Sequence, residues 1–280
     1  MRFVKGHGTE NDFVILPDAA GALELDAASV ARLCDRRAGI GADGVLRAVR
    51  AKAAGDPAAE AQAGDAEWFM DYRNADGGIA EMCGNGVRVF ARYLVDSGLA
   101  APGEWDVATR AGLRRVTLGA SGDVSVDMGP PEYLGTGEAS IAGRVHTGTR
   151  VSMGNPHLAC PVGEPVAGLD LTRAPAFDPA AFPDGVNVEF YRPVGERHVE
   201  MRVYERGSGE TRSCGTGTVA VAAAAATDSG VAEGDAAGEW IVDVPGGRVV
   251  VTLDGRTSHL RGPAVLVAEG EILSGWLRGS

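Results

Sequence analysis

The chain has 280 residues, 45% of them hydrophobic and 23% charged, with a formal net charge of −12, a profile that suits a globular protein long enough for two modest domains. Nucleic-acid binding rests on clustered Lys and Arg, and anionic membranes attract the same charges, so this acid excess argues against both; the most apolar run, residues 219–226, is far too short to span a bilayer. Met1-Arg2-Phe3-Val4-Lys5 leads straight into a polar glycine loop rather than an apolar leader, and Cys34, Cys83, Cys160 and Cys214 are too dispersed for a disulfide framework or a Cys-x-x-Cys zinc ribbon, which together predict a cytosolic protein.

Phe3-Val4 and residues 13–16 read as strands around a loop at 6–12, and residues 29–34 read as a short helix. Gly39-Ile40-Gly41-Ala42-Asp43-Gly44 matches the dinucleotide fingerprint by letter. It follows a helix and leads into apolar Val45-Leu46, the reverse of the strand-to-helix context, so it reads as a turn. Residues 51–66, rich in Ala, Gly and Asp, read as a solvated loop, and 68–72 as a strand. After Cys83, the apolar residues Val87, Phe90, Ala91 and Leu94 keep the i, i+3, i+4, i+7 spacing of one helix face. After Cys214, residues 219–226 are apolar all round, which predicts a helix buried on every side. Residues 107–126 and 240–253 read as hairpins, the second turning at Pro245-Gly246-Gly247. Gly129, Pro130 and Pro131 mark a join. The predicted organisation is an α+β fold of two pseudo-symmetric domains, residues 1–128 and 129–265, with 266–280 returning to the first. Each domain is a mostly antiparallel β layer wrapped around a central helix, with the active site in the cleft between them.

The pseudo-symmetry rests on an internal echo. Met-Cys-Gly-Asn-Gly at 82–86 is answered by Ser-Cys-Gly-Thr-Gly at 213–217. At the same offset Met70 matches Met201, Asn74 matches Glu205, and Gly78 matches Gly209. Asparagine loops precede both strings, at Glu10-Asn11-Asp12 and Gly154-Asn155-Pro156. A repeat this long means two similar domains rather than a solenoid.

Two cysteines at two helix starts suggest paired acid/base chemistry. A helix N-terminus presents unpaired N–H groups and about half a positive charge. It favours thiolate, lowering a cysteine pKa from its ordinary value of roughly 8.5, and it can hold a carboxylate. The glycines would let a substrate approach the backbone. One thiolate would take an α-proton while a thiol on the other face supplies one, with aligned dipoles stabilising the carbanion without a cofactor. The buried-thiol reading suits Cys34 and Cys160, which lie in apolar stretches. The five histidines are scattered, so no metal site is expected, and no Gly-x-Ser-x-Gly elbow supports a serine nucleophile.

His7-Gly8-Thr9-Glu10-Asn11-Asp12-Phe13, Asn74-Ala75-Asp76-Gly77, Cys83-Gly84-Asn85-Gly86, Gly154-Asn155-Pro156-His157, Tyr204-Glu205-Arg206-Gly207 and Cys214-Gly215-Thr216-Gly217 together resemble the diaminopimelate epimerase family over nearly the whole chain. The resemblance implies a cofactor-independent, commonly homodimeric enzyme that converts LL-2,6-diaminopimelate to the meso form for lysine and peptidoglycan synthesis. It implies Cys83 and Cys214 as the catalytic pair. Asn11, Asn74, Asn155 and Asn187 would bind substrate, Glu205 an ammonium and Arg206 the distal carboxylate. The backbones of Gly84-Asn85 and Gly215-Thr216 would hold the reacting carboxylate, and His157 and Glu205 would tune the thiols. Taken alone, Asn11, Asn155 and Asn187 read equally as turn residues. Glu10, Gly44 and Gly78 depart from the family pattern, standing where members carry glycine, glutamine and serine. The rival readings are a proline racemase-like enzyme, which would not use Glu205-Arg206, and a non-catalytic amino-acid-binding protein.

Overall fold

The computed structural model describes residues 1–119, 122–228, 237–273 and 275–276. The chain forms two compact units, Met1–Val126 together with the segment returning from Pro263, and Asp127–Gly262. Of the returning segment, residues 274 and 277–280 lie outside the described residues.

In the first unit β1 (Arg2–Gly8) and β2 (Asn11–Pro17) form an antiparallel hairpin in which Gly8 faces Asn11. The turn is only Thr9-Glu10, both left-handed at φ 50° and 61°, as a two-residue hairpin turn of the primed type requires. Most of the predicted loop at 6–12 is therefore strand. Gly6 disguises it: a Cβ there would sit 2.9 Å from the Val265 carbonyl oxygen, so the residue reads as loop while serving close packing. Helix α1 (Ala27–Cys34) starts at Asp26, whose carboxylate accepts from Ser29 N at 2.7 Å. Strand β3 (Gly44–Arg50) lies parallel to β2. The predicted solvated loop at 51–66 instead contains α2 (Pro57–Gln62), capped by Asp56 with Pro57 in its first turn, and Ala51 and Ala59 are fully buried. Then come β4 (Trp68–Asn74), α3 (Gly84–Asp96), β5 (Gly103–Thr109), β6 (Gly112–Leu118) and β7 (Val124–Asp127). Val87, Phe90, Ala91 and Leu94 on α3 are fully buried. Each larger one stabilises the unit by roughly 1.5–3 kcal/mol relative to exposure.

The second unit runs β8 (Glu132–Ile141), β9 (Arg144–Ser152), β10 (Pro156–Pro161), β11 (Ala176–Phe177), β12 (Asn187–Gly195), β13 (His198–Glu205), β14 (Gly209–Thr211), α4 (Gly215–Asp228), β15 (Gly238–Val244), β16 (Gly247–Leu253) and β17 (Ser258–Gly262). The chain then returns as β18 (Val265–Glu271), antiparallel to β1. Residues 219–226 of α4 are at most 5% exposed, as their all-apolar pattern predicts.

The two units share one strand order. The first reads β18-β1-β2-β3-β4-β5-β6-β7 and the second β8-β9-β10-β12-β13-β15-β16-β17. Pairing is antiparallel except at matching steps, β2–β3 and β4–β5 in one unit, β10–β12 and β13–β15 in the other. The register matches as well. Phe13 faces Gly44 and Ile15 faces Leu46, while His157 faces Asn187 and Ala159 faces Glu189. Thus Phe13 corresponds to His157, and Leu46 to Glu189. The α+β architecture, with β layers wrapped around one helix per unit, is as predicted. Among the described residues no helix is long and apolar enough to cross a membrane.

Candidate active site

Cys83 is the N-cap of α3, and its Sγ accepts from Gly86 N at 3.4 Å. Its thiol donates to Asn11 Oδ1 at 3.5 Å, an oxygen that also accepts from Asn85 Nδ2 at 3.3 Å. Asn11 is oriented from behind by Asp43, whose Oδ2 accepts from Asn11 Nδ2 at 2.8 Å. Asn85 is oriented by Arg88, whose Nη2 donates to Asn85 Oδ1 at 2.6 Å. Arg88 is fully buried, and among the described residues it donates to neutral acceptors, Asn85, Thr9 Oγ1 at 3.1 Å and the Pro263 carbonyl at 3.0 Å. Burial draws its pKa down to about 10, against the opposing pull of Cys83 and Asp123. A buried cation of this kind is costly without an anion nearby, and Cys83 is one of the two groups whose charge it senses.

The second unit builds the matching corner differently. Cys214 precedes α4 and is 7% exposed. Its sulfur lies 3.6 Å from Thr216 Oγ1. Thr216 Oγ1 accepts from Asn155 Nδ2 at 3.4 Å. Asn155 Oδ1 lies 3.0 Å from His157 Nε2, and His157 Nδ1 lies 2.7 Å from Glu189 Oε1. His157 and Glu189 are completely buried, and Glu189 Oε2 has no hydrogen-bond partner among the described residues. Asn155 therefore stands to Cys214 as Asn11 does to Cys83, reaching the thiol through Thr216 rather than directly.

The helix N-terminus does not leave Cys214 with the lowered pKa that the sequence predicts. Burial pushes it well above its ordinary value, and the carboxylates of Glu205 and Glu189 push it further, outweighing the bonds from Thr216 and the Gly217 N–H. Desolvation and two like charges exceed what one helix end can offset. Cys34 and Cys160 are ordinary buried thiols, raised by burial to about 11 and about 12. The last glycine of the second string is a packing requirement, whereas a side chain at the last glycine of the first would make only ordinary contacts. A Cβ on Gly86 would sit 3.4 Å from Leu46 and 3.5 Å from Phe13, and one on Gly217 would sit 2.6 Å from Glu189 Oε1.

The remaining predicted residues fall at strand ends. Asn187 opens β12 and is buried; its Nδ2 donates to the Pro156 carbonyl and its Oδ1 accepts from Arg206 N at 3.0 Å, so it sets the backbone of Arg206. The Arg206 guanidinium is at the surface, donating to the Asp184 carbonyl at 3.0 Å. Glu205 ends β13 and accepts from the Thr211 hydroxyl. Asn74 ends β4, exposed, opposite Gly44. Gly84 and Gly215 are the buried first residues of α3 and α4. Two of the three departures have local reasons. Glu10 occupies a left-handed position, the conformation glycine adopts freely. A Cβ on Gly44 would meet the Arg73 carbonyl at 2.6 Å and Tyr72 at 2.7 Å. Among the described residues no group of three or more His, Cys, Asp or Glu side chains is placed to hold a metal.

Sequence reasoning missed Arg88 and Glu189. A signal existed for both. Val219 occupies the position after Cys214 that Arg88 occupies after Cys83, inside an all-apolar run, so Arg88 had to be buried. Aligning the repeats also shows Phe13 and Leu46 replaced together by His157 and Glu189.

A family model described as diaminopimelate epimerase matches residues 3–134 and 149–271. A diaminopimelate epimerase of Thermobifida fusca (strain YX) is 60% identical over 283 residues, covering 99% of this chain and 100% of the relative. Among solved structures, a PhzF-family phenazine biosynthesis protein of Bacillus anthracis superposes with a TM-score of 0.67 at 18% identity, over 98% of this chain and 99% of the other. A hydroxyproline epimerase from Agrobacterium vitis superposes with a TM-score of 0.66 at 15% identity, over 96% and 91%. At these identities the two structures establish a shared fold only.

Proposed function

The chain belongs to the diaminopimelate epimerase family, and from that premise we propose that it interconverts LL- and meso-2,6-diaminopimelate with Cys83 and Cys214 as the two acid/base groups. The observation that carries the assignment of roles is the repeated corner: in each unit a cysteine at a helix N-terminus is reached by an asparagine, Asn11 at the start of β2 directly and Asn155 just before β10 by way of Thr216. A thiolate on one face removes the α-proton, and the C–H electron pair passes onto the α-carbon and its carboxylate. The thiol on the other face then gives its proton to that carbon, which inverts it. The acceptor leaves as thiol and the donor as thiolate, ready for the reverse direction. The N–H groups of Gly84-Asn85 and Gly215-Thr216 hold the reacting carboxylate, where helix-end dipoles stabilise developing charge. Asn11, Asn74, Asn155 and Asn187 line the substrate, His157 and Glu205 govern the thiols, and Arg206 takes the distal carboxylate with Glu205 near an ammonium.

Two-base chemistry has an isotopic signature. In heavy water, early product should carry deuterium at the inverted carbon while recovered substrate keeps its hydrogen. Equal early labelling of substrate and product would point to a single exchanging base and overturn the assignment. Proline and hydroxyproline should not turn over, because neither offers a distal carboxylate or ammonium to Arg206 and Glu205. In this reading the protein is a cytosolic homodimer, which sedimentation at micromolar concentration would test.

A further inference from the structure

The two thiol strings look alike in sequence, but they rest on different floors. Beneath α3 the floor is Phe13 and Leu46, both fully buried and both within 3.5 Å of a Cβ placed on Gly86. Beneath α4 the equivalent register positions hold His157 and Glu189. Glu189 Oε1 fills the space that a Gly217 side chain would need, and the Gly217 N–H bonds the Cys214 sulfur. The carboxylate therefore packs against Gly217, the residue whose N–H bonds the thiol sulfur. It is completely buried, anchored on one oxygen by His157 at 2.7 Å and unpartnered on the other.

We infer that Glu189, held in place by His157, is a positioning residue that keeps the proton on Cys214 in the resting protein, and that replacing an apolar pair by an ionisable one makes the two thiols unequal. The groups facing Cys214 are Glu189 from β12, His157 from β10 by way of Asn155, Glu205 from β13 and Thr216 from α4 itself. Both carboxylates oppose a second negative charge at the sulfur, and the Thr216 and Gly217 bonds favour it. Glu205 ends a strand and has a hydroxyl partner. Among the described residues the Glu189 side chain has His157 as its side-chain hydrogen-bond partner, together with a backbone N–H bond; burial and Glu205 raise its own pKa and the His157 pairing opposes that rise, so His157 is what keeps a charge at this depth. The inference rests on the paired-cysteine reading, and it assigns the donor role in the resting molecule to the cysteine above the ionisable floor.

The test needs no substrate, so its failure is distinct from failure of the epimerase reading, which would show as wild-type protein inert toward diaminopimelate. Whole protein is treated with iodoacetamide at fixed pH values from about pH 6 to pH 10, below the raised Cys214 midpoint, and the alkylation rates of the peptides carrying Cys83 and Cys214 are followed separately. Glu189→Gln, which keeps shape and hydrogen bonding but removes the charge, should move the Cys214 midpoint down by about one pH unit. That is roughly tenfold faster alkylation below the midpoint. The Cys83 profile, an internal reference from the other unit, should not move. Should Glu189→Gln fail to fold, His157→Gln/Glu189→Gln puts two mutually bonding amides in the same place and carries the same expectation. A Cys214 alkylation rate that is unchanged in the folded variant, or Cys83 and Cys214 rates that rise together, would overturn the inference.

Discussion

The Thr9-Glu10 turn allows a stability prediction with its own control. Both residues are left-handed, at φ 50° and 61°, a region that costs an L-residue about 1–2 kcal/mol. Glycine removes that cost but loses more entropy on folding, roughly 0.5–1 kcal/mol. Glu10 is exposed and its backbone N–H donates to His7 Nδ1 at 3.2 Å, a bond that glycine keeps. Glu10→Gly should therefore stabilise the first unit by about 0.5–1 kcal/mol, raising its melting temperature by about 1–4 °C. Thr9 has the same backbone strain but is 2% exposed, and its hydroxyl accepts from the buried Arg88 guanidinium. Thr9→Ala leaves the strain in place and removes an acceptor from a charged donor, a loss of roughly 1.5–3 kcal/mol. Differential scanning calorimetry of the two variants reads opposite signs. If Glu10→Gly melts below wild type, or if both shift the same way, backbone strain does not govern this turn.

Cys83→Ala and Cys214→Ala should each lower kcat by at least about 10²–10⁴-fold, the contribution of one positioned acid or base, while Cys34→Ala and Cys160→Ala keep turnover near wild type; a coupled epimerisation assay distinguishes them. Arg206→Met should weaken diaminopimelate binding roughly tenfold to a hundredfold, the equivalent of a charge-assisted hydrogen bond of about 1.5–3 kcal/mol, and unchanged affinity by titration calorimetry would remove Arg206 from the site. Asp12 predicts acid lability. Burial alone would raise its pKa, but Arg36 at 2.7 Å and Lys5 at 2.6 Å bring it from 3.8 to about 2. A folded value below the unfolded one means a contribution present above about pH 4 and lost as pH falls toward about 2. Urea titrations across that window should show a shallower decline in Asp12→Asn than in wild type.

Much of this was legible because the repeat states the fold twice. Matching Cys83 with Cys214 and Met70 with Met201 identified α3, α4, β4 and β13 as equivalents, and the apolar spacing after each cysteine gave the buried faces. The stretches read wrongly were those where local composition serves another purpose. Gly6 and Gly8 read as loop because close packing demands small residues in a strand. Residues 51–66 read as solvent because Asp56-Pro57, a helix-start signal, lies among alanines. The thiol prediction failed at Cys214 for a different reason. The helix end is visible in the sequence, but the burial of the thiol and the carboxylates of Glu205 on β13 and Glu189 on β12 that oppose its charge arise only from the packing of separate strands. Partnerships between side chains far apart in sequence are hard to read linearly, and the Arg88–Thr9 and Glu189–His157 contacts are of that kind.

The outer strand of each layer comes from a different direction along the chain, and this orders the events of synthesis. The second unit takes β8 from the segment just after the join and is complete once Gly262 has been made. The first unit takes β18 from the far end, with the Met1 amino group bonded to the Ile272 carbonyl at 3.0 Å and Arg88 bonded to the Pro263 carbonyl. The half of the protein that leaves the ribosome first is thus the half that closes last. Until then β1 stays an open edge, ready to pair with other chains, and the Arg88 guanidinium beneath Cys83 lacks one of its acceptors. A premature stop before Pro263 would spare the Cys214 unit, which lies nearer the break in sequence, and disable the Cys83 unit, which lies farther from it.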